Sequence, residues 1–418
     1  MRTISTASSV STASTASTAS TASSVSSVSI SAETMSSTST ASTMGDTSST
    51  ATRARRAATA SAALLAALTL TAAACGPDGP AAPAAPPAAL PRAAPTSRGD
   101  LSGWKLEDWA RYVADSGFTG QVAPGYWTTA RTEAAGARPT PEYSLTAASP
   151  AAVQRDAPPG AVRARPQPHP YGPDSALVGK LLMTASQGDA VCSGTVVSDP
   201  LNPGRSNLVY TAAHCLHDGR GGGWVKNLVF VPAFNRDGRA ARGKPYDDRQ
   251  AAPYGRWTVV RALVSPTWLQ ESGVGAHDQY DYGIVRVRGE SDSGRSLEET
   301  VGGSVPVWFN APREQITSAA AFGYPVERPF DGTELQRCDS AAAPGRLSFD
   351  PARPPMYVIG CTMTGGAGGG GWFITKDGRP NLVSVSSIGD RDPVGYLAGP
   401  SLQDQAKQAF DYFTKNVK

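Results

Sequence analysis

Three short stretches hold residues able to do chemistry. In LVYTAAHCLHDG, His214 follows an apolar run and sits beside Cys215. An imidazole fixed at the end of a strand can serve as a general base, although a single histidine is more often structural. In DYGIVRV, Asp281 stands ahead of an alternating apolar run. Taken alone, such an aspartate is a turn residue; Asp278, its competitor, has no adjoining strand. The third stretch, CTMTGGAGGGGWF from Cys361 to Phe373, runs glycine after glycine where a reactive loop is expected. It reads as a flexible turn, a phosphate cradle, or a reactive loop without its reactive atom. The cradle lacks the Lys-Ser/Thr ending and the following helix signal. No serine lies between Cys361 and Trp372.

The pentapeptide TAAHC is close to the histidine motif of the chymotrypsin-like serine peptidases. The order histidine, aspartate, glycine-rich loop completes the likeness. Across about 176–410 the chain resembles the bacterial glutamyl-endopeptidase-like branch of that family. Related sequences carry a TGGSSGGPW-like loop whose second serine is the nucleophile. Thr364, Gly365, Gly366, Gly369, Gly370 and Trp372 match it. Ala367 replaces the first serine, Gly371 the proline, and Gly368 stands at the nucleophile position. AFGYP at Ala321–Pro325 also looks like this branch.

The resemblance implies His214 as base and Asp281 as the group that orients it. It implies the N–H groups of Gly366 and Gly368 as oxyanion donors, and Ser387, Ile388 and Gly389 as a strand lining a substrate groove. It calls for no cofactor and no metal. Gly368 has no side-chain oxygen, so no acyl-enzyme can form there. Thr364 lies too far back in the loop to substitute without remodelling it. The expectation is a non-catalytic peptidase homologue that binds a peptide or protein ligand. The alternative is an active serine endopeptidase, if the glycine is a sequence error or an engineered change. Branch members that prefer glutamate use a histidine in the specificity pocket. The histidines here are His169, His214, His217 and His277, all before Asp281, so that preference has no carrier.

Positioning such residues needs a rigid β framework. From Ala176 onward short β-rich runs alternate with Gly, Pro, Asn and Asp turns: ALVGKLLMT, VCSGTVVS, LVYTAA, NLVFVPAF, WTVVRALV, YGIVRV, SVPVWF, MYVIGC, GWFIT and NLVSVSSIG. This pattern predicts an all-β sandwich or barrel pair. The resemblance sharpens it to two packed antiparallel β-barrels, chymotrypsin-like, over 176–418. SLQDQAKQAFDYFTKNV has apolar residues at helical spacing and predicts a C-terminal helix. Residues 76–175 read as a Pro/Ala-rich tether and a loosely docked, pro-segment-like extension. Within it one short helix is predicted, with Trp104, Leu106, Trp109 and Val113 on one face.

Cys192, Cys215, Cys338 and Cys361 form an even set that allows three pairings. Neighbour pairing would close two loops of similar length, each worth roughly 3 kcal/mol, and implies an oxidising compartment. The RARR cluster at Arg53–Arg56, the apolar stretch after it and the small residues before Cys75 match an export signal over 53–75. A transmembrane anchor is the other reading of that stretch. TAAAC resembles a lipoprotein cleavage box, with Ala72 where Leu is usual. Cys75 is thus a candidate lipid anchor, and plain secretion the alternative. Residues 1–52, mostly Ser, Thr and Ala, read as disordered or as a mis-assigned start. The formal net charge of +3 over 418 residues argues against a nucleic-acid partner.

Overall fold

The computed structural model describes residues 101–418, apart from 102, 140–153, 158, 241–243, 271–274, 292, 341–343 and 390–394. The expectations for the disordered start, the export signal and Cys75 fall outside the described residues.

Three short strands precede the main body: β1 (Gly136–Ala137), β2 (Gln154–Arg155) and β3 (Arg165–Pro166). The next six are β4 (Val178–Ala185), β5 (Gly188–Val197), β6 (Leu208–Thr211), β7 (Lys226–Pro232), β8 (Trp257–Val264) and β9 (Gly283–Gly289). They pair in the order β5-β4-β7-β8-β9-β6, and β6 pairs back onto β5. The result is a closed, six-stranded antiparallel barrel, in which β6 covers only Thr195–Val197 of β5 and β1 pairs with Ala190 and Val191 on the same strand. Gly179, Leu181, Val196, Val209, Phe230 and Val285 show why it closes: alternate positions are apolar or small, and the apolar ones are buried. A Cβ at Gly179 would stand 2.6 Å from the Phe230 ring, so that ring fills the space a side chain would take.

The second half contains β10 (Ala319–Gly323), β11 (Gln336–Ser340), β12 (Gly345–Ser348), β13 (Met356–Gly360), β14 (Gly371–Lys376), β15 (Arg379–Val385), β16 (Ile388–Gly389) and β17 (Tyr396–Gly399). They form two five-stranded sheets, β15-β14-β10-β11-β3 and β16-β17-β13-β12-β2. Ala321, Cys338, Ile359, Trp372, Val383 and Leu397, drawn from both sheets, share one core. The Cys338–Cys361 disulfide ties β11 to the end of β13. SVPVWF, expected as a strand, is instead the connector between the halves. Val305 bridges to Val197 of the barrel and Val307 to Leu382 of the second half. Pro306 between them has no N–H to extend a ladder.

The C-terminal helix spans Asp404–Asn416 and buries Ala406, Ala409, Phe410 and Phe413, the predicted face. It is held to the barrel by Arg286 Nε, which donates to Val417 O at 3.0 Å. Among the described residues, no helix is long and apolar enough to cross a membrane.

Residues 103–139 of the extension are seated on the barrel and the C-terminal helix, contrary to the loose docking expected from the aperiodic sequence. Its helix, Leu106–Asp115, buries Trp109, which stacks on Tyr412 of the C-terminal helix at 5.9 Å. Tyr112 donates its hydroxyl to Val264 O, and Trp127 donates its indole N–H to Asn227 O at 2.7 Å. Leu106, assigned to the buried face, is 63% exposed; Tyr112 packs there instead. Docking by single aromatic anchors and two-residue edge strands leaves no periodicity to read. Trp109→Ala is expected to cost about 3 kcal/mol of packing. Limited proteolysis should then cut within 101–139 well before the barrel.

Candidate active site

The barrel ladder brings the base and its partner together. Thr211, the last residue of β6, pairs with Gly283, the first of β9. The chain then turns through Ala213–Cys215 on one strand and arrives through the turn Ala276–Tyr280 on the other. His214 and Asp281 therefore meet at one end of the barrel. Asp281 Oδ1 accepts from the His214 backbone N–H at 2.8 Å, and Oδ2 lies 2.7 Å from Nδ1. The Cys192–Cys215 disulfide pins the turn to β5. The tautomer that donates Nδ1–H to the carboxylate leaves Nε2 as the ring's acceptor. That nitrogen faces the disulfide, 3.5 Å from Cys215 Sγ and 3.8 Å from Cys192 Sγ.

A third donor completes the carboxylate shell. Ser387, assigned to the substrate-groove strand, is buried and donates its hydroxyl to Asp281 Oδ2 at 2.6 Å. Burial pushes Asp281 up, but the His214 charge and the donors from His214 and Ser387 outweigh it. The carboxyl is held below the usual carboxylate range. A depressed folded-state pKa contributes stability above the unfolded value, and that contribution is lost as pH falls through the folded one. Asp281→Asn should therefore be less stable than the wild type at pH 7. The gap should close as the pH falls below about 4, which urea melts from pH 7 to pH 2 would show.

Ile388 is fully buried and pairs with Ala398, while Gly389 is half-buried opposite Leu397. Asp278 is buried against His277, 3.4 Å from its Nε2, and accepts from the Gly275 N–H. His169 pairs with Glu334. His217 accepts from the Gly219 N–H, and burial pushes its pKa down against the opposing pull of Asp218. Cys192, His214 and Cys215 cluster closely enough to suggest a metal, but both sulfurs are spent in the disulfide and offer no thiolate.

The glycine loop is a fixed scaffold. Ser193 N–H donates to Gly368 O at 2.8 Å, Gly369 N–H to Ser386 O at 2.7 Å, and Gly370 N–H to Ala367 O at 3.0 Å. Ser193 Oγ donates to Gly366 O, and the Trp372 indole to Ser386 Oγ. Gly366 (φ +97°) and Gly369 (φ +77°) lie in the left-handed region, whereas Gly368 does not. Gly366 and Gly368 are buried, yet their N–H groups find no protein acceptor among the described residues. Buried amides normally have one. Two unpaired N–H groups flanking one residue suit an oxygen brought in from outside.

Four hydroxyls near the loop are committed as donors: Ser193 to Gly366 O, Thr211 to Ser193 O, Thr364 to Glu327 O, and Ser387 to Asp281. Sequence reasoning missed Arg138, whose Nε donates to His214 O at 2.9 Å, and Asp218, with which Arg138 pairs. Arg138 lies 76 residues from His214 in an aperiodic segment, so no local signal marked it.

No family model matches the chain, and no curated protein matches it. Solved structures do. One, described as a thermostable serine protease AL20 from an extremophilic microorganism, is 29% identical. The match covers 59% of this chain and 100% of that one, with a TM-score of 0.47. Another, the protease Anisep from Arthrobacter nicotinovorans, is also 29% identical. It covers 57% of this chain and 95% of its own length, with a TM-score of 0.45.

Proposed function

We propose that this chain is an exported homologue of the chymotrypsin-like serine peptidases that binds peptide or protein ligands without cleaving them. One observation carries the reading: Gly368 has no oxygen to offer, although Ser193 holds its carbonyl and the next residue, Gly369, packs on Thr211 and Ala212 just ahead of the His214 that pairs with Asp281. The hydroxyls of Ser193, Thr364 and Ser387 support the same view, since each is spent as a donor to a protein oxygen. Loss of the serine in a triad costs on the order of a millionfold in turnover, while oxyanion donors and binding surfaces remain. The two disulfides fit an oxidising compartment. The export signal at 53–75, a lipid on Cys75 and a pro-segment-like role for 76–175 belong to this proposal. An acid-directed specificity does not, because no histidine is left for it.

Incubation of the full chain with a fluorophosphonate probe and with casein tests the reading. No covalent labelling and no cleavage are expected, together with retention of peptides on an array. Labelling would establish a working nucleophile and replace this reading with an active endopeptidase. Mass spectrometry of the mature N-terminus decides between an anchor and plain secretion: a lipid-modified Cys75 would establish the anchor, and an unmodified Cys75 or a start beyond it would remove it.

A further inference from the structure

The segment before the barrel enters the candidate site as an added strand. β1 pairs in parallel with β5, Gly136 opposite Ala190 and Ala137 opposite Val191. The Arg138 N–H then donates to Val191 O at 3.0 Å. Val191 adjoins Cys192, whose disulfide fixes the His214 turn. Ala137 lies against the glycine loop: a Cβ at Gly365 would stand 2.7 Å from the Ala137 methyl. Arg138 is only 6% exposed. Its guanidinium divides between His214 O, 2.9 Å from Nε, and the Asp218 carboxylate, which pairs with Nη2. Arginine is almost never this buried unless its charge is matched. Here one carboxylate and one carbonyl do so, beside the strand edge that holds the backbone.

We propose that Val191 O, His214 O and Asp218 form a subsite for an arginine-bearing extended peptide, occupied by the chain's own Ala137–Arg138. The peptide is held by strand addition to β5, and the planar guanidinium reads the carbonyl and the carboxylate together. A lysine ammonium, a point charge without that fork, fits poorly. The tethered Arg138 competes at an effective concentration in the millimolar range, so it closes the subsite to an incoming peptide until displaced. This rests on the cleft being a peptide groove, and the test separates the two.

The probe is a fluorescein-labelled AAGARPT peptide, the sequence of residues 134–140, titrated by anisotropy into the full chain. Arg138→Ala is expected to bind it at least about tenfold more tightly than the wild type. Adding Asp218→Asn, or replacing the peptide's arginine with citrulline, should remove that gain. Equal binding by wild type and Arg138→Ala overturns the subsite, as does binding indifferent to citrulline. If casein-derived peptides still bind in either case, the groove survives; if they too fail, the groove falls with it. A second measurement needs no vacated site. Asp218→Asn alone should speed amide exchange at Arg138 at least tenfold while β4 and β7 keep theirs, and unchanged exchange at Arg138 overturns the proposal.

Discussion

Gly368→Ser, combined with Arg138→Ala to open the cleft, is expected to raise hydrolysis of a small activated ester at least about a thousandfold over the wild type. The backbone at 368 is outside the left-handed region, so a serine there is spared the strain of a positive φ. Its carbonyl is already held by Ser193 and its successor by Ser386, which fixes where the new Cβ points. His214 Nδ1 lies 2.7 Å from the Asp281 carboxylate, and the tautomer that donates there leaves Nε2 to take the serine proton. Gly366 and Gly368 N–H groups lack acceptors among the described residues and stand ready for the developing oxyanion. Asp281→Asn in the same background should remove most of that gain, through the wrong imidazole tautomer. If the ester rate stays at background while the melting curve is native, His214 does not face residue 368 and the site is no remnant of a triad.

Gly370→Ala, two residues on, should do the opposite and damage the fold. A Cβ there would lie 1.9 Å from Phe322 O of β10 and 3.0 Å from Ala367 O. Both are backbone atoms, and β10 is paired on both sides, to β11 and β14, so neither can yield cheaply. The expected loss is about 3 kcal/mol, a fall in melting temperature of roughly 6 °C or more. Gly378 is the control: it lies in the left-handed region at φ +74° but has open space around it. Alanine there should cost only the strain of that backbone, about 1 kcal/mol. An unchanged melting temperature for Gly370→Ala would mean that the loop is not packed against β10 as described.

The contrast between positions 368 and 370 separates what local sequence carries from what it cannot. In CTMTGGAGGGGWF the glycines look alike. Only the packing shows that Gly370 is a contact forced by a neighbouring strand, while the Gly368 backbone lies outside the left-handed region. Strand existence was legible where apolar, β-branched runs stood between turn residues, as in β4, β7 and β8. Residues Ala319–Gly323 hid a central strand, because alanine and glycine have little preference for a sheet and their place comes from the neighbours they pair with. SVPVWF erred the other way: its apolar run satisfies two cores from a connector position.

The sequence by itself determined the chemistry on offer: a histidine beside a cysteine, an aspartate heading a strand, and a loop without a serine. Those facts are residue identities and need no coordinates. The tertiary structure decided their relations. A closed barrel set Thr211 against Gly283 and so joined His214 to Asp281. It also turned Ser387 from the cleft toward the carboxylate. It brought Arg138 from an unpatterned extension onto His214 and Asp218. Such contacts join residues dozens of positions apart, and chain closure over that distance leaves no trace in local spacing.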